Sequence, residues 1–478
     1  MSSEEFDLEK VDEQTQKTAK NTKKKYEMDM CSGPILKKML LFAIPLMCSS
    51  VLQLLFNAAD IVVVGRFAGD NSLAAVGSNT SLISLLTNLF IGLSVGANVL
   101  VARYYGAKQE EDLKKAVHTS MLLSVYSGII LTIVGIAGAR YILELMSTPE
   151  EVLSLAVIYL RIYFLGMTAT MIYNFGSAIL RAVGDTKRPL YYLFTAGVIN
   201  VILNLFFVII LHMDVAGVAL ATAISQCISA LLIVRCLMHE EGAIRLVLKE
   251  LHIDRQKFFS ILRIGLPAGF QGIIFSLSNV VIQSSVNSFG AVIVAGNSAA
   301  ANLEGFVYVA MNAFYQATIS FTSQNYGAGK YKRINRILFT GQACVFMVGL
   351  VFGNFVVLAG RQLLSVYSSS ADVIAAGMDR LGIVSRTYAL CGMMDVMVGS
   401  LRGVGYSVLP MIVSLIGACG LRLVWLATMF QMPQFHSVQM IYISYPISWI
   451  ITFAVHVLCF IVIRKKVLDK KIKLSNCA

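Results

Sequence analysis

One carboxylate sits inside a long apolar run. Asp60 lies in the last third of the stretch 39–64. An ionisable side chain at membrane depth costs about 2.5–3.5 kcal/mol on insertion scales, so by default it marks a functional site. Gln53 and Asn57 precede Asp60 at helical spacing, which puts all three on one helix face. Asn200 and Asn204 share a face of another apolar run at i, i+4, Asn174 lies in a third run and Thr222 in a fourth. If these faces converge they supply one carboxylate and several neutral oxygens. That set would hold a small hard cation, which prefers oxygen ligands. It would equally suit an aspartate that takes a proton because burial disfavours its charge. Asn and Thr in membrane helices also bond helix to helix, at about 0.6 kcal/mol on average. That plainer role serves for any one of the asparagines, but it does not account for a charge.

A second polar set lies in the C-terminal half: Glu304, Asp395 and Arg422, each within an apolar stretch. An Asp395–Arg422 or a Glu304–Arg422 pair is expected, either as a structural salt bridge or as a second coupling site. Asp379 and Arg380, near the start of a stretch, read as headgroup-level residues. Met393, Met394 and Met397 stand close together. Flexible thioethers suit adaptable apolar pockets, although ordinary packing explains them as well.

The elements that must position these residues are membrane helices. Of the 478 residues 57% are hydrophobic and 14% charged, against about 25% charged in an average soluble domain. A span needs about 20 apolar residues. Such stretches fall near 39–64, 79–102, 117–139, 153–180, 190–211 and 215–237, and again near 261–287, 297–322, 337–359, 374–400, 410–430 and 440–463. None alternates in polarity as a barrel strand would. With the N-terminus in the cytosol, 32 of the 39 Lys and Arg fall in inside segments; only Arg66, Arg140 and Arg361 lie outside, and Arg161, Arg380, Arg386 and Arg422 lie within spans. This bias predicts a multi-pass protein of the cell membrane with both termini cytoplasmic.

The chain repeats itself. LRAVGDTKRP at 180–189 returns as LRGVGYSVLP at 401–410, an offset of 221 that also superposes Tyr105-Gly106-Ala107 on Tyr326-Gly327-Ala328 and Asn174 on Asp395. Pro45 meets Pro267 at 222. Two halves of six helices share one orientation, so the expected fold is an all-α membrane protein: two six-helix bundles related by a pseudo-two-fold along the membrane normal, with a cleft between them. The expected divisions are a disordered cytosolic tail (1–34), an N-terminal lobe (35–237), a cytosolic linker (238–260), a C-terminal lobe (261–464) and a basic tail (465–478). Thr148-Pro149-Glu150-Glu151 reads as a helix start with a capping hydroxyl. Gly92/Gly96 and Gly217/Ala221 are small-residue pairs that let helices approach closely.

Several chemistries are excluded. GAGKYK at 327–332 lacks the Ser/Thr and the setting of a phosphate-binding loop. The histidines His118, His212, His239, His252, His436 and His456 are scattered, and the nine cysteines show no metal spacing. No catalytic residues, resident metal or cofactor are expected, and the chain does not read as an enzyme. The formal charge of +12 lies between the spans, which argues against nucleic acid as a partner. Membrane lipids are the partners expected from the apolar spans, with a monomer as the assembly.

IPLMCSSVLQLLFNAADIVVVGRFAG, ARYYGAKQEEDLKKA, ILRAVGDTKRP and SQNYGAGKYKRINR occur in that order on twelve predicted helices. In this the chain resembles the multidrug and toxic compound extrusion (MATE) family of the prokaryotic type, over roughly residues 35–465. The resemblance implies export of amphipathic, often cationic compounds in exchange for protons or sodium by alternating access. It also implies a cation site in the first lobe, which maps onto Asp60, Asn174, Asn200, Asn204 and Thr222. One residue departs from the family pattern: Asn204 stands where the family carries an Asp. In the second lobe helix 7 offers only Gln271 and Gln283 where some members carry an acid, while Asp395 matches an acid of helix 10. Two other readings remain, a flippase for a lipid-linked saccharide, which would need a strongly cationic cavity, and a membrane-embedded transferase, which would need an acid-rich or His/Asp cluster at the membrane face.

Overall fold

The computed structural model describes residues 26–470 apart from Ser147. Among these residues ten helices are long and apolar enough to cross a membrane, and two further bent pairs bring the number to twelve. In chain order they are α1 (Ile35–Phe67), α2 (Asp70–Ala107), α3 (Glu110–Leu145), α4 (Glu150–Leu165 with Met167–Ala182), α5 (Lys187–Ile210), α6 (Asp214–Met238), α7 (Arg255–Asn287), α8 (Ala291–Gly327), α9 (Tyr331–Leu358), α10 (Ala371–Thr387 with Ala389–Val404), α11 (Val408–Gln431) and α12 (Val438–Leu468). Exposed apolar side chains such as Ile133, Leu231 and Leu358 cover their outer faces, as lipid requires.

The repeat is visible in the backbone. Left-handed positions Gly69, Lys108 and Gly184 return 221 residues later as Gly290, Gly329 and Gly405. The bends recur as well: α4 turns by 46° beside Gly166 and α10 by 42° beside Tyr388. Packing follows the same symmetry. Helix α2 packs on α7 and α8 on α1, each contact the image of the other, while α2 packs on its own counterpart α8. The two lobes meet along these four helices.

Small residues make the meeting close. A Cβ on Gly92 would stand 2.2 Å from the Gly269 amide nitrogen, and one on Gly96 would stand 2.5 Å from the Ile261 carbonyl oxygen. The Gly92/Gly96 pair is therefore the α2–α7 crossing between the lobes. Side-chain bonds extend the junction toward the end that carries both termini. Ser320 Oγ donates to Asn98 Oδ1 (3.1 Å), Gln324 Nε2 to the Ala182 carbonyl (2.6 Å) and Arg103 Nη2 to the Val404 carbonyl (3.0 Å). From there the inter-lobe bonds reach as far as Asn88–Ser276 (3.4 Å), midway along α2.

Several boundaries differ from expectation. Residues 26–34 are docked rather than disordered. Met30 is fully buried, Asn325 Nδ2 donates to its carbonyl (3.0 Å), and Arg333 Nη2 donates to the Ser32 and Gly33 carbonyls (2.8 Å each). On the other lobe Tyr105 Oη donates to Glu27 (3.0 Å) and the Met28 amide donates to the Val183 carbonyl. An apolar side chain with a seat and a backbone with donors outweigh the polar composition of the segment. Residues 1–25, with the lysine run, and residues 471–478 lie outside the described residues. The linker is shorter than expected, because the Asp254 side chain accepts from the Lys257 amide and starts α7 at Arg255. His118 Nε2 accepts from the Val247 amide (3.2 Å) and pins that linker to α3. Helix α12 runs on through Leu468, past the expected end at 464. At 148–151 the cap is Pro149 and no side chain bonds to it, so the expected hydroxyl cap is absent.

Candidate functional site

The first lobe brings four of the expected residues together. Helices α1, α5 and α6 converge at Asp60, whose Oδ1 accepts a hydrogen bond from Asn204 Nδ2 and whose Oδ2 accepts from Thr222 Oγ1 (3.4 Å). Asn204 Nδ2 also reaches Asn200 Oδ1 (3.2 Å), and Asn200 Nδ2 donates to Thr222 Oγ1 (3.3 Å). The i, i+4 spacing of the two asparagines makes this closed set possible, because both amides leave one face of α5. Asn200 and Asn204 are buried. Asn204 Oδ1 is also buried and has no hydrogen-bond partner among the described residues. A buried amide oxygen left bare carries a desolvation cost of about 1–3 kcal/mol. Rotating the amide would bring that oxygen to the carboxylate, which is favourable only when a proton or a cation lies between them.

The remaining first-lobe residues stand apart. Asn174 donates to the Thr170 carbonyl of its own helix (2.9 Å), and no hydrogen bond joins it to Asp60 among the described residues. It lines a cleft of ≈ 110 Å³ with Gln53, Ser49, Arg181 and Gln316. Asn57 is exposed on α1. The face shared by Gln53, Asn57 and Asp60 thus divides between two environments.

The second lobe holds a cavity of ≈ 630 Å³ lined by α7, α8, α10, α11 and α12, with Asn88 of α2 at its edge. Its ion pairing differs from expectation. Glu304 pairs with Arg380 through Nη2–Oε2 at 2.7 Å, and Arg380 Nε lies 3.1 Å from Oε1, a two-pronged contact. Arg380 is 8% exposed, and its Nη1 donates to Asn297 Oδ1 (2.7 Å). It is thus the buried partner of the glutamate and does not sit at headgroup level. Asp379, beside it, is exposed and accepts from Gln439 (3.1 Å). Arg422 forms neither expected pair. Its Nε donates to Ser448 Oγ (2.8 Å), and its guanidinium lies 4.2 Å from the Tyr445 ring centre and 5.4 Å from that of Trp449. Asp395 lines the cavity with no hydrogen bond or ion pair among the described residues.

Arg402, expected in a cytosolic loop, is a site residue. It is 4% exposed, donates to Gln271 Oε1 (2.7 Å) and to Tyr315 Oη, and lines the same cavity. The signal was in the repeat: Arg181 and Arg402 are the same position of the motif, seven residues after Asn174 and Asp395. The structure keeps that correspondence, because Asn174 and Arg181 face the small cleft while Asp395 and Arg402 face the large one.

Two similar six-helix lobes, a central junction of small residues and buried polar groups in each lobe define a membrane transporter with an internal repeat. The MatE family profile matches twice, at residues 45–206 and 267–429, once in each lobe. The chain therefore belongs to the MatE family of membrane transporters. Among curated proteins it is 29% identical over 395 residues to the probable multidrug resistance protein YoeA of Bacillus subtilis, covering 81% of this chain and 85% of that one. It is 24% identical over 394 residues to the probable multidrug resistance protein NorM of Thermotoga maritima, covering 81% and 84%. Among solved structures, a MOP superfamily transporter from Pyrococcus furiosus superposes with a TM-score of 0.86 at 23% identity, covering 92% of this chain and 98% of that one. An outward-facing MATE family multidrug transporter superposes with a TM-score of 0.85 at 24% identity, with the same coverage. The expected family, fold class and twelve-helix organisation therefore hold.

Proposed function

We propose that this protein is a multidrug exporter of the cell membrane. On this reading it is a secondary antiporter that expels amphipathic, often cationic compounds in exchange for protons or sodium by alternating access. The relatives' names support multidrug export. The observation that carries the coupling is the Asp60 network, a single carboxylate held by Asn204 and Thr222 with a bare buried amide oxygen beside it. With both termini in the cytosol, the junction of the lobes closes the cytosolic side, and this conformation faces outward. A proton or sodium ion entering at Asp60 satisfies the Asn204 oxygen and changes the packing of α1 against α5 and α6. Substrate affinity then differs between the loaded and unloaded states, and the coupling is reciprocal. The drive is about 2.3 kcal/mol per charge per 100 mV, plus about 1.4 kcal/mol per pH unit if the ion is a proton.

The test is ethidium efflux from proteoliposomes under separately imposed proton and sodium gradients, wild type against Asp60→Asn. The wild type should export under one of the gradients and the variant, equally well inserted, under neither. Uphill export by Asp60→Asn at wild-type abundance would sink the role of Asp60. Absence of efflux in the wild type under both gradients would move the reading to a flippase of lipid-linked saccharides.

A further inference from the structure

The second-lobe cavity is short of negative charge. Arg380, Arg402 and Arg422 face it against Glu304 and Asp395, a balance of 3 − 2 = +1. Glu304 and Arg380 neutralise one another at 2.7 Å. Among the described residues Arg402 bonds only neutral groups, Gln271 and Tyr315. Arg422 bonds only Ser448, and no carboxylate lies within ion-pair distance of it among the described residues. Arg422 is 4% exposed, and its Nη2 is buried without a hydrogen-bond partner among the described residues. A buried guanidinium with a free donor is costly unless something arrives to accept from it. Tyr445 and Trp449 lie under the same guanidinium and form one apolar wall of the cavity.

We propose that this cavity binds the carboxylate of an amphipathic substrate, with Arg422 as its hydrogen-bonding partner, Arg402 as the second cation, and Tyr445 and Trp449 against the substrate's aromatic or aliphatic body. A guanidinium presents its donors in a fork that matches a carboxylate, and a water-excluding wall strengthens the contact. A monoanion brings the cavity to neutrality; a singly charged cation raises its excess to +2. The inference deepens the proposed export function, on which it rests, by adding acidic and zwitterionic amphiphiles to the compounds carried. The opposing carboxylate, Asp395, lowers affinity for an acid and supplies a counter-charge when the same molecule also carries an ammonium group.

The probe is dansyl-phenylalanine, a carboxylate, against its primary amide, which has the same body and no charge. Binding to the full chain in nanodiscs is read by energy transfer from tryptophan to dansyl, since the chain has two tryptophans and Trp449 lines the cavity. The acid should bind roughly 10- to 100-fold more tightly than the amide, the range for a hydrogen bond to a charged group. Arg422→Gln should bring the ratio close to one, and Arg422→Lys should leave an intermediate ratio. Asp395→Asn should tighten acid binding, the opposite of its effect if the cavity took cations. Equal binding of acid and amide by the wild type, or an unchanged ratio in Arg422→Gln, would overturn the proposal. Should Arg422→Gln fail to fold, the Asp395→Asn arm decides alone, and weaker acid binding there would also overturn it. Gradient-driven ethidium efflux by the wild type separates the two readings. Acid preference without efflux removes only the transport reading, and efflux without acid preference removes only this one.

Discussion

The closed junction depends on α2 and α7 touching backbone to backbone, so a single methyl group placed there should move the equilibrium between facing states. In Gly92→Ala the new Cβ would stand 2.2 Å from Gly269 N, 2.4 Å from its Cα and 2.9 Å from the Gly265 carbonyl oxygen. All three are backbone atoms, which no rotamer change can remove. Ordinary contact begins near 3.4 Å, so the helices must part by about 3.4 − 2.2 = 1.2 Å. Overpacking of this kind costs about 1–3 kcal/mol. The cost applies only while the lobes are shut at this crossing and is relieved when they rock apart. The population of the opposite facing state should therefore rise by roughly 5- to 150-fold. Spin labels at Lys108 and Lys332, exposed at the end that carries the termini and on opposite lobes, would report the change as a longer inter-label distance. Gly77→Ala, on the same helix, places a Cβ that meets none of the described residues within 4 Å; it is the control and should match the wild type. A folded Gly92→Ala protein with an unchanged distance distribution would refute the argument, because it would show that the crossing can dilate without the lobes changing state.

Three further outcomes follow from named contacts. Arg380→Met alone leaves Glu304 buried without a partner and should cost about 3–5 kcal/mol, whereas Arg380→Met with Glu304→Leu should recover most of it; melting in detergent checks both, and a single variant as stable as the wild type would count against a buried pair. Asn204→Asp sets a second carboxylate against Asp60, so sodium should raise the melting temperature of the variant more than it raises that of the wild type; equal sodium effects would show that residue 204 does not help to hold the ion. Arg333→Ala removes two bonds to the segment before α1, worth about 1 kcal/mol at this exposed position, so in a Cys31-only background maleimide labelling of Cys31 should quicken roughly fivefold; an unchanged rate would mean that the Arg333 bonds contribute nothing to holding the segment.

The parts of the molecule legible in sequence were those governed by periodicity and by solvent. Twelve apolar stretches, the bias of Lys and Arg, and a motif returning at an offset of 221 determine a two-lobed membrane bundle, because lipid leaves a helical backbone no other way to satisfy its hydrogen bonds. The Asp60, Asn200, Asn204 and Thr222 set was legible for a related reason: helical spacing puts the asparagines on one face, and a charge in lipid demands company. Tertiary structure decided which charges actually meet. Glu304 chose Arg380 over Arg422, Asn174 turned to its own helix, and Arg402 moved from an expected loop into a cavity. These outcomes depend on how far α8, α10 and α11 rotate and slide against one another, distances set by glycine contacts and bends that local sequence does not encode. The docking of residues 26–34 has the same origin. Their composition predicts solvation, and the seat for Met30 among α1 and the second-lobe helices, with the donors of Asn325 and Arg333 beside it, gives that segment a reason to fold.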